Sequence, residues 1–572
     1  MNTTLTNLLF AALLSPAASA VPLLSAQTGI APARSGIRPT VIGQADLVRR
    51  YTQDKRDLER FYDVQLDPEQ RARMQRFVAD WRARLAGLDA ASLDREGRVD
   101  VGLLQNDLDR TAHGLAKAEA RAARLADLLP FQPEILRLAR ERQATQTVDP
   151  RAVAETLDGL HAGMADLETR VRERLAGDGI KPLGPTDAKR AAEATLQLLR
   201  EVEGYVAHYR PFHPEFAWWV AEPAEALGKS LRSYAKLLRE EGAGLKGEAD
   251  DPLVGEPLGS AALAKELELE LLPYDAEQLV QLAEADMAWC AERMAEAAAE
   301  LGLGTAAEAL EHVRGLGAEP GEQDLLVKGQ ALEAVHFLQE RDLVSLEPLM
   351  LETITFDMLS TTAQRTLPFA AYGGQRMLVA YPTEEMDHGT KIMALGGNNE
   401  HFSRIVTPHE LVPGHHLQRY MQSRHAAHRA PFSTPFFTEG WALYWEMLLW
   451  DEGWARGPED RIGMLFWRMH RGARVLVLLG FHSGEMTPED MVDLLVERVG
   501  HEPYTARAEV RRYVGDAYGP IYPVGYLIGG LQLRELAAEL VGSGGMGPKA
   551  FHDALLKQGP IPVELVRAGM VE

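Results

Sequence analysis

Cysteine is almost absent from this chain of 572 residues, since Cys290 is the only one. A single cysteine cannot form an intrachain disulfide, and it excludes a structural zinc site built from several cysteines. Cys290 lies in the segment MAWCAER, whose apolar spacing is that of a helix. We therefore predict that it packs inside a helical region and is not a catalytic nucleophile.

Positive charge and long apolar runs are also scarce. Lysine and arginine number 60 against 83 aspartates and glutamates, which gives a net charge of −23. Such a balance repels polyphosphates and anionic lipid surfaces, so nucleic acid is excluded as a predicted partner. After the N-terminus, no apolar run approaches the roughly 20 residues that cross a bilayer, so no membrane span is predicted.

The N-terminus has features of an export signal. An apolar stretch is followed by Ala18, Ser19 and Ala20, which have the small-x-small form of a signal-peptidase site. The basic residue usual near the start of a signal peptide is missing. The pattern predicts a signal peptide over residues 1–20, a linker over residues 21–43, and an exported protein that is periplasmic or secreted.

The remaining sequence predicts a mainly α fold. Across residues 44–315 apolar side chains recur at steps of three and four, as in QRARMQRFVADWRARLAGL, which is typical of amphipathic helices. Residues 316–572 are predicted to form a second helical region that contains the functional site. Within residues 343–399, short segments such as QRMLVAYP and KIMALGG are bounded by turn signals and predict a small β region.

Three histidines and a glutamate lie close together at His409, Glu410, His415 and His416. A lone histidine on a helix is most often structural, but a cluster beside a carboxylate is typical of a metal site. Imidazole is a common zinc ligand, and an adjacent carboxylate can accept a proton from water. A regular zinc-binding helix has its second histidine four residues after the first, a position that Pro413 occupies here.

Pro413 and Gly414 interrupt the helix, and either of two local structures would still bring a second histidine to His409. Proline removes a helical hydrogen bond and clashes with the carbonyl group four residues earlier, so it bends or breaks a helix. If the Pro-Gly pair bulges out, His415 becomes the second ligand, which is the alternative we favour. If the helix only kinks, His416 is the better ligand, because a step of seven residues returns to within about 20° of the same face.

A catalytic zinc ion usually has three protein ligands and one open position. The segment FFTEGWALYWE provides Glu439 as the third ligand, and Glu446 lies two helical turns further along the same face. A simpler alternative is that Glu439 only stabilises a helix N-terminus after Thr438. The nearby histidines favour the ligand role.

These segments resemble a large bacterial family that is catalogued as a domain of unknown function. Its signature H-E-x-x-P-G-H-H-L-Q, followed by E-G-W-A-x-Y-x-E, is similar to HELVPGHHLQ and TEGWALYWE here. RVLVLLGFH and RRYVGDAYGPIYPVGYLIGG resemble further motifs, so the resemblance covers residues 400–535. The family is regarded as related to helical zinc peptidases whose third ligand is glutamate, which include angiotensin-converting enzyme.

The resemblance implies a zinc-peptidase-like fold with Glu410 as general base. Its ligands would be His409, a second histidine and Glu439. The chain also departs from the family pattern, because Leu478 replaces an aspartate and Tyr522 stands within a triplet that is G-Q-A in the family. The histidine motif is intact, but substrate specificity does not carry over.

Further catalytic and binding roles follow from the chemistry of such a site. The oxyanion formed during amide hydrolysis needs a hydrogen-bond donor, and Tyr526, which matches a tyrosine of the family, and His482 are the candidates. Arg512 and Arg474 are candidates for binding a substrate carboxylate. The alternative for each of these four side chains is ordinary packing or solvation.

The sequence thus predicts a zinc-dependent hydrolase, foremost an exported peptidase that acts on peptides or small peptide-like amides. One alternative is a catalytically silent helical binding protein, and another is a metal-dependent esterase or amidase on the same scaffold. Glu410 favours an enzyme, because a purely structural metal site does not need a carboxylate beside its first ligand.

Overall fold

Helices make up most of the protein, so the predicted mainly α fold is confirmed. The computed structural model describes residues 44–571, except residues 65, 178–181, 249, 365, 366, 368, 375, 516 and 517. The predicted signal peptide (1–20) and linker (21–43) lie outside the described residues. Both stay predictions.

Many helices of the first half begin where the sequence places a capping residue. At α5, the side chain of Asp149 accepts hydrogen bonds from the N–H groups of Arg151 and Ala152, and Pro150 occupies the first helical position, where no N–H is required. The helices of this half are α1 (Gln44–Phe61), α2 (Pro68–Ala86), α3 (Arg95–Leu125), α4 (Gln132–Gln143), α5 (Pro150–Ala176), α6 (Pro185–Tyr209), α7 (Pro214–Leu237), α8 (Ser260–Leu269), α9 (Ala276–Glu300), α10 (Ala306–Arg314) and α11 (Gln323–Arg341).

The second half carries the sheet and the helices of the candidate site. Its elements are α12 (Pro348–Glu352), β1 (Thr355–Met358), α13 (Thr361–Gln364), β2 (Ala370–Tyr372), β3 (Arg376–Val379), α14 (His388–Gly397), α15 (Glu400–Glu410), α16 (His415–Gln422), α17 (Pro435–Asp451), α18 (Pro458–Ser483), α19 (Pro488–Leu494), α20 (Pro503–Val514), α21 (Val524–Leu540), α22 (Pro548–Leu556) and α23 (Val563–Met570).

Among the described residues, two hydrophobic cores hold the helices together. Helices α4–α7 surround a core that includes Leu136, Leu198 and Phe216. A larger core extends from α1–α3 and α8–α10 into the C-terminal helices, and Leu104 and Trp441 both belong to it. The predicted division of the chain at residue 315 stays a prediction, and the larger core extends across it.

The small sheet lies within the predicted β region. Its described strands have the order β1-β3-β2, with β1 parallel and β2 antiparallel to β3. One prediction here is wrong, because the segment KIMALGG belongs to α14. The side chain of Asp387 caps that helix by accepting a hydrogen bond from the N–H of Thr390. A short apolar run fits a buried helix as well as a strand, and the cap decides between them.

Helices α17 and α21 touch through their backbones. A β carbon on Gly529 would collide with the carbonyl oxygen of Phe436, and one on Gly440 would lie 2.6 Å from the carbonyl carbon of Gly529. Only glycine allows so close an approach. As a result, Glu439 on α17 lies beside the N-terminal end of α21.

No helix within the described residues combines the length and the apolar character that crossing a bilayer requires.

Candidate metal centre

The helix that carries the first histidine stops and restarts around Pro413. Helix α15 ends at Glu410, and after a tight turn α16 begins at His415. The N–H of Gly414 donates to the carbonyl of Pro408 at 2.9 Å. A β carbon on Gly414 would collide with the carbonyl oxygen of His409, so this turn requires glycine.

A tertiary contact fixes the turn in place. The indole N–H of Trp441 on α17 donates to the carbonyl oxygen of Pro413 at 2.8 Å. The turn brings the imidazole of His415 edge-on to that of His409, with ring centroids 4.9 Å apart. The chain therefore breaks and bulges at the Pro-Gly pair, as in the alternative that favours His415.

His409, His415 and Glu439 form a buried cluster in which one ligand atom of each lies within 4.8 Å of the others. Glu439 Oε2 is 3.7 Å from His409 Nε2 and 3.2 Å from His415 Nε2. These three residues come from α15, α16 and α17. The close packing of α17 against the turn at Pro413 places the carboxylate between the two rings.

The donor set of this cluster fits a zinc ion. Two imidazole nitrogens and one carboxylate oxygen are common ligands of catalytic zinc, and bonds of about 2.0–2.1 Å in tetrahedral geometry place donors about 3.4 Å apart. Glu439 Oε2 is buried and has no hydrogen-bond partner among the described residues. A buried carboxylate oxygen without a hydrogen bond is costly, and a cation at this point would compensate for the missing bond.

His416 lies outside the cluster. Its Nε2–H donates to the carbonyl of Met350 at 2.9 Å, and its Nδ1 lies 3.2 Å from the hydroxyl of Tyr372. Burial lowers the pKa of His416, so the ring is neutral near pH 7. Because the helix breaks instead of kinking, His416 turns away from His409 and joins α16 to α12 and β2.

Glu446 forms a second contact with the first histidine. The distance between His409 Nδ1 and Glu446 Oε1 is 2.6 Å, and Arg471 Nη2 lies 3.5 Å from the same oxygen. This hydrogen bond leaves His409 Nε2 directed at the cluster, as carboxylates commonly do for histidine ligands. Glu446 is seven residues beyond Glu439 on α17, so the i, i+7 spacing is the sequence signal for this contact.

Charged neighbours within the cluster shift the pKa values of His409 and Glu439. Burial opposes protonation of His409, but the nearby carboxylates of Glu439 and Glu446 outweigh it and raise the pKa of His409 to about 9. Burial likewise opposes ionisation of Glu439, yet His415 and His409 hold the pKa of that carboxyl well below its usual range. Without a metal, the cluster thus pairs an ionised Glu439 with a His409 that retains its proton near pH 7.

Glu410 faces a cavity next to the cluster. Its side chain has no hydrogen-bond partner among the described residues, and Glu410, like His409 and Glu439, lines the cavity. The volume is about 220 Å³. A carboxylate that is free of protein partners and lies beside possible metal ligands can accept and return a proton.

Strand β2 forms another wall of this cavity through Ala370 and Ala371. It is an edge strand of the described sheet and pairs with β3 on one side. An edge strand offers backbone N–H and C=O groups to an extended peptide. The cavity therefore lies between the cluster of His409, His415 and Glu439 and the outer edge of β2 in the described sheet.

Tyr526 stands next to the cluster, as the sequence predicts for an oxyanion donor. Its ring stacks on the imidazole of His409, with centroids 6.1 Å apart and an interplanar angle of 9°. Burial raises the pKa of Tyr526, so its hydroxyl stays protonated. The guanidinium groups of Arg474 and Arg471 lie over the ring at 4.6 and 4.8 Å.

Arg474 and Arg512 both line the cavity and share one carboxylate. Arg474 Nε donates to the hydroxyl of Tyr513 at 2.9 Å, and its Nη2 donates to Glu509 at 3.3 Å. Arg512 also donates to Glu509. Two guanidinium groups around one glutamate leave this wall with an excess of positive charge.

His482 is not brought to the cavity. It lies in the last turn of α18, where its carbonyl accepts a hydrogen bond from the N–H of Gly259 at 2.9 Å. Burial lowers the pKa of His482 to about 4. Because α18 rises by about 1.5 Å per residue, His482 is about 12 Å further along the helix than Arg474.

Tyr522 and Arg471 belong to the site, although neither is predicted from the sequence. The hydroxyl of Tyr522 donates to Glu439 Oε1 at 2.5 Å, and Arg471 supports Glu446. The only sequence features that indicate these two residues are their distances from predicted site residues. Tyr522 precedes Tyr526 by four residues, and Arg471 precedes Arg474 by three. Neither spacing alone distinguishes a site residue from ordinary helix packing.

The fold and the cluster define a mainly helical protein with a buried pair of histidines and a glutamate beside a cavity. The chain belongs to the bacterial protein family of unknown function DUF885, which matches residues 55–570. No curated protein matches the chain.

Solved structures share this fold, and two of them show the degree of likeness. One is a candidate lipoprotein of unknown function from Shewanella oneidensis, with 18% identity, a TM-score of 0.68, and coverage of 92% of this chain and 100% of the other. Another is a candidate lipoprotein from Colwellia psychrerythraea, with 16% identity, a TM-score of 0.58, and coverage of 92% and 99%. At these identities the likeness establishes the fold alone.

Proposed function

We propose that the protein is a zinc-dependent hydrolase, and specifically an exported peptidase that uses Glu410 as its general base. The observation that carries this proposal is the convergence of His409, His415 and Glu439 beside a cavity that Glu410 also lines. A structural metal site requires the three ligands but not the free carboxylate.

The resemblance to glutamate-type zinc peptidases supports the same function. In those enzymes the ligands lie on an H-E-x-x-H helix and on a second helix that supplies the glutamate. Here the break at Pro413 and Gly414 brings His415 next to His409, which makes the interrupted motif compatible with that scheme.

Zinc, when bound by these residues, supplies a Lewis acid that lowers the pKa of water and polarises the carbonyl of the substrate. Glu410 accepts the proton of the attacking water and transfers it to the leaving amine. The protonated hydroxyl of Tyr526 donates to the oxyanion, a type of interaction that commonly contributes about 10²–10³ in rate. Glu446 holds His409 in the required orientation.

The proposed substrate is a peptide or a small peptide-like amide. The free edge of β2 can pair with an extended backbone, and the arginines around Glu509 provide positive charge for a carboxylate. Both Arg474 and Arg512 donate to Glu509, and Nη1 of Arg474 is buried without a hydrogen-bond partner among the described residues.

Export to the periplasm or beyond is part of the proposal. It is supported by the signal-like sequence that ends at Ala20 and by the description of both structural neighbours as candidate lipoproteins, which are exported proteins. This point is tested by sequencing the N-terminus of the protein recovered outside the cytoplasm. Export with signal cleavage predicts an N-terminus that follows Ala20, whereas uncleaved protein in the cytoplasm retains the first 20 residues.

Metal analysis and peptide digestion test the function directly. We expect near-stoichiometric zinc in the purified protein, its loss in His409→Ala, and cleavage of a mixed peptide library detected by mass spectrometry. Glu410→Gln should keep the zinc and lose cleavage. Absence of metal under zinc-replete conditions would overturn the proposal. Full cleavage by Glu410→Gln would overturn the role of the base. Hydrolysis of esters without peptides would assign the esterase alternative.

A further inference from the structure

We propose that Tyr522 is a positioning residue that holds Glu439 in single-oxygen coordination, so that only Oε2 of this carboxylate binds the metal. This inference rests on the proposed zinc site. Tyr522 belongs to a triplet that is G-Q-A in the family pattern, and this chain departs from the pattern there. The inference gives the departing tyrosine a role.

The two oxygens of Glu439 have different surroundings. Oε1 accepts a hydrogen bond from the hydroxyl of Tyr522 at 2.5 Å. Oε2 faces the Nε2 atoms of His409 and His415 and has no hydrogen-bond partner among the described residues. The carboxylate is therefore oriented with one oxygen held by the protein and the other directed to the ligand position.

Single-oxygen coordination matters for a catalytic site. A carboxylate with two free oxygens can bind a cation through both of them. That would use the coordination position which a catalytic zinc keeps open for water or substrate. By occupying Oε1, the hydroxyl of Tyr522 disfavours binding through both oxygens and fixes the rotation of the carboxylate.

Tyr522 is itself held in place by its neighbours. Its ring stacks on that of Tyr518, with centroids 5.2 Å apart and an interplanar angle of 26°, and meets Tyr526 edge-on at 6.4 Å. Its backbone N–H donates to the carbonyl of Gly519 at 3.0 Å. The hydroxyl is thus directed at Glu439 by contacts that do not involve a metal.

The test compares the full-length wild-type protein with Tyr522→Phe and with Tyr518→Phe as the matched control. Both changes remove only a hydroxyl group and keep the stacked ring. Competition with a chromophoric chelator gives the zinc dissociation constant of each protein. The absorption spectrum of the cobalt(II)-substituted protein reports the coordination number, and melting of the metal-free proteins verifies folding.

We expect the zinc dissociation constant of Tyr522→Phe to rise by about 10- to 100-fold, as for other groups that orient metal ligands. Its cobalt spectrum should weaken toward that of a higher coordination number. Tyr518→Phe should match the wild type. An unchanged dissociation constant in Tyr522→Phe overturns the inference, as does an equal loss in Tyr518→Phe. A wild-type protein that binds no zinc overturns the proposed function itself.

Discussion

His409 and Glu446 share a buried hydrogen bond of 2.6 Å between Nδ1 and Oε1. The contact joins α15 to α17 and leaves the opposite nitrogen of the ring for a metal. Because Arg471 lies beside the same carboxylate, the orientation of His409 depends on a chain of groups that reaches α18.

Removal of this carboxylate should weaken metal binding. In Glu446→Gln the hydrogen bond to His409 loses its charge, so we expect the zinc affinity to fall about 10-fold or more. Chelator competition measures the change. Glu452→Gln, just beyond the end of α17, is the matched control and should retain the wild-type affinity. Equal affinities for all three proteins would contradict the role of Glu446.

Zinc uptake should depend on pH. The pKa of His409 in the metal-free protein is raised to about 9, so a proton must leave before its nitrogen can bind a metal. Between pH 7 and 9 the apparent affinity should increase about tenfold per pH unit. Titrations at several pH values measure this, and calorimetry in two buffers counts the released proton. A flat profile over this interval would show that His409 already lacks this proton at pH 7.

The stability of the metal-free protein should decline in alkali. The folded-state pKa of His409 is raised from 6.5 to about 9, so the folded chain holds this proton more tightly than the unfolded chain does. The resulting stabilisation is complete below pH 6.5 and disappears as the pH rises through about 9. We expect the difference in melting temperature between the wild type and His409→Gln, both with chelator, to change over this interval. A constant difference would contradict the assignment.

The turn at Gly414 should tolerate no side chain. Because a β carbon there would collide with the carbonyl of His409, Gly414→Ala should lower the free energy of unfolding by more than about 2 kcal/mol and weaken zinc binding. Gly114→Ala provides the control, since this glycine is exposed within α3 and has open space around it. That change should alter stability by no more than about 1 kcal/mol. Denaturant unfolding compares the two variants, and an equal effect would refute the steric argument.

The sequence was sufficient to predict the helical fold, because apolar periodicity depends on local spacing. It also pointed to His409, Glu410 and Glu439 as a group. It left His415 and His416 as alternatives, because the choice depends on whether the chain bulges or kinks. That outcome depends on the contact between Trp441 and Pro413, two residues far apart in the chain.

The same limit explains the other differences. His482 belongs to a motif that is near the site in sequence, but the length of α18 carries it away from the cavity. Tyr522 looks like a departure from the family pattern and nothing more, until α21 packs on α17 and places its hydroxyl on Glu439. Contacts between helices decide these positions, and a single sequence does not specify them.

The glycine contact between α17 and α21 has a consequence for how this protein can diversify. With no side chain between Gly440 and Gly529, the spacing that relates Glu439 to Tyr526 cannot be adjusted by substitution in small steps. The cavity walls formed by β2 and α20 are separate from this glycine contact. Under the proposed function, substitutions at cavity residues such as Ala371 and Arg512 can alter substrate preference while the spacing between Glu439 and Tyr526 stays fixed.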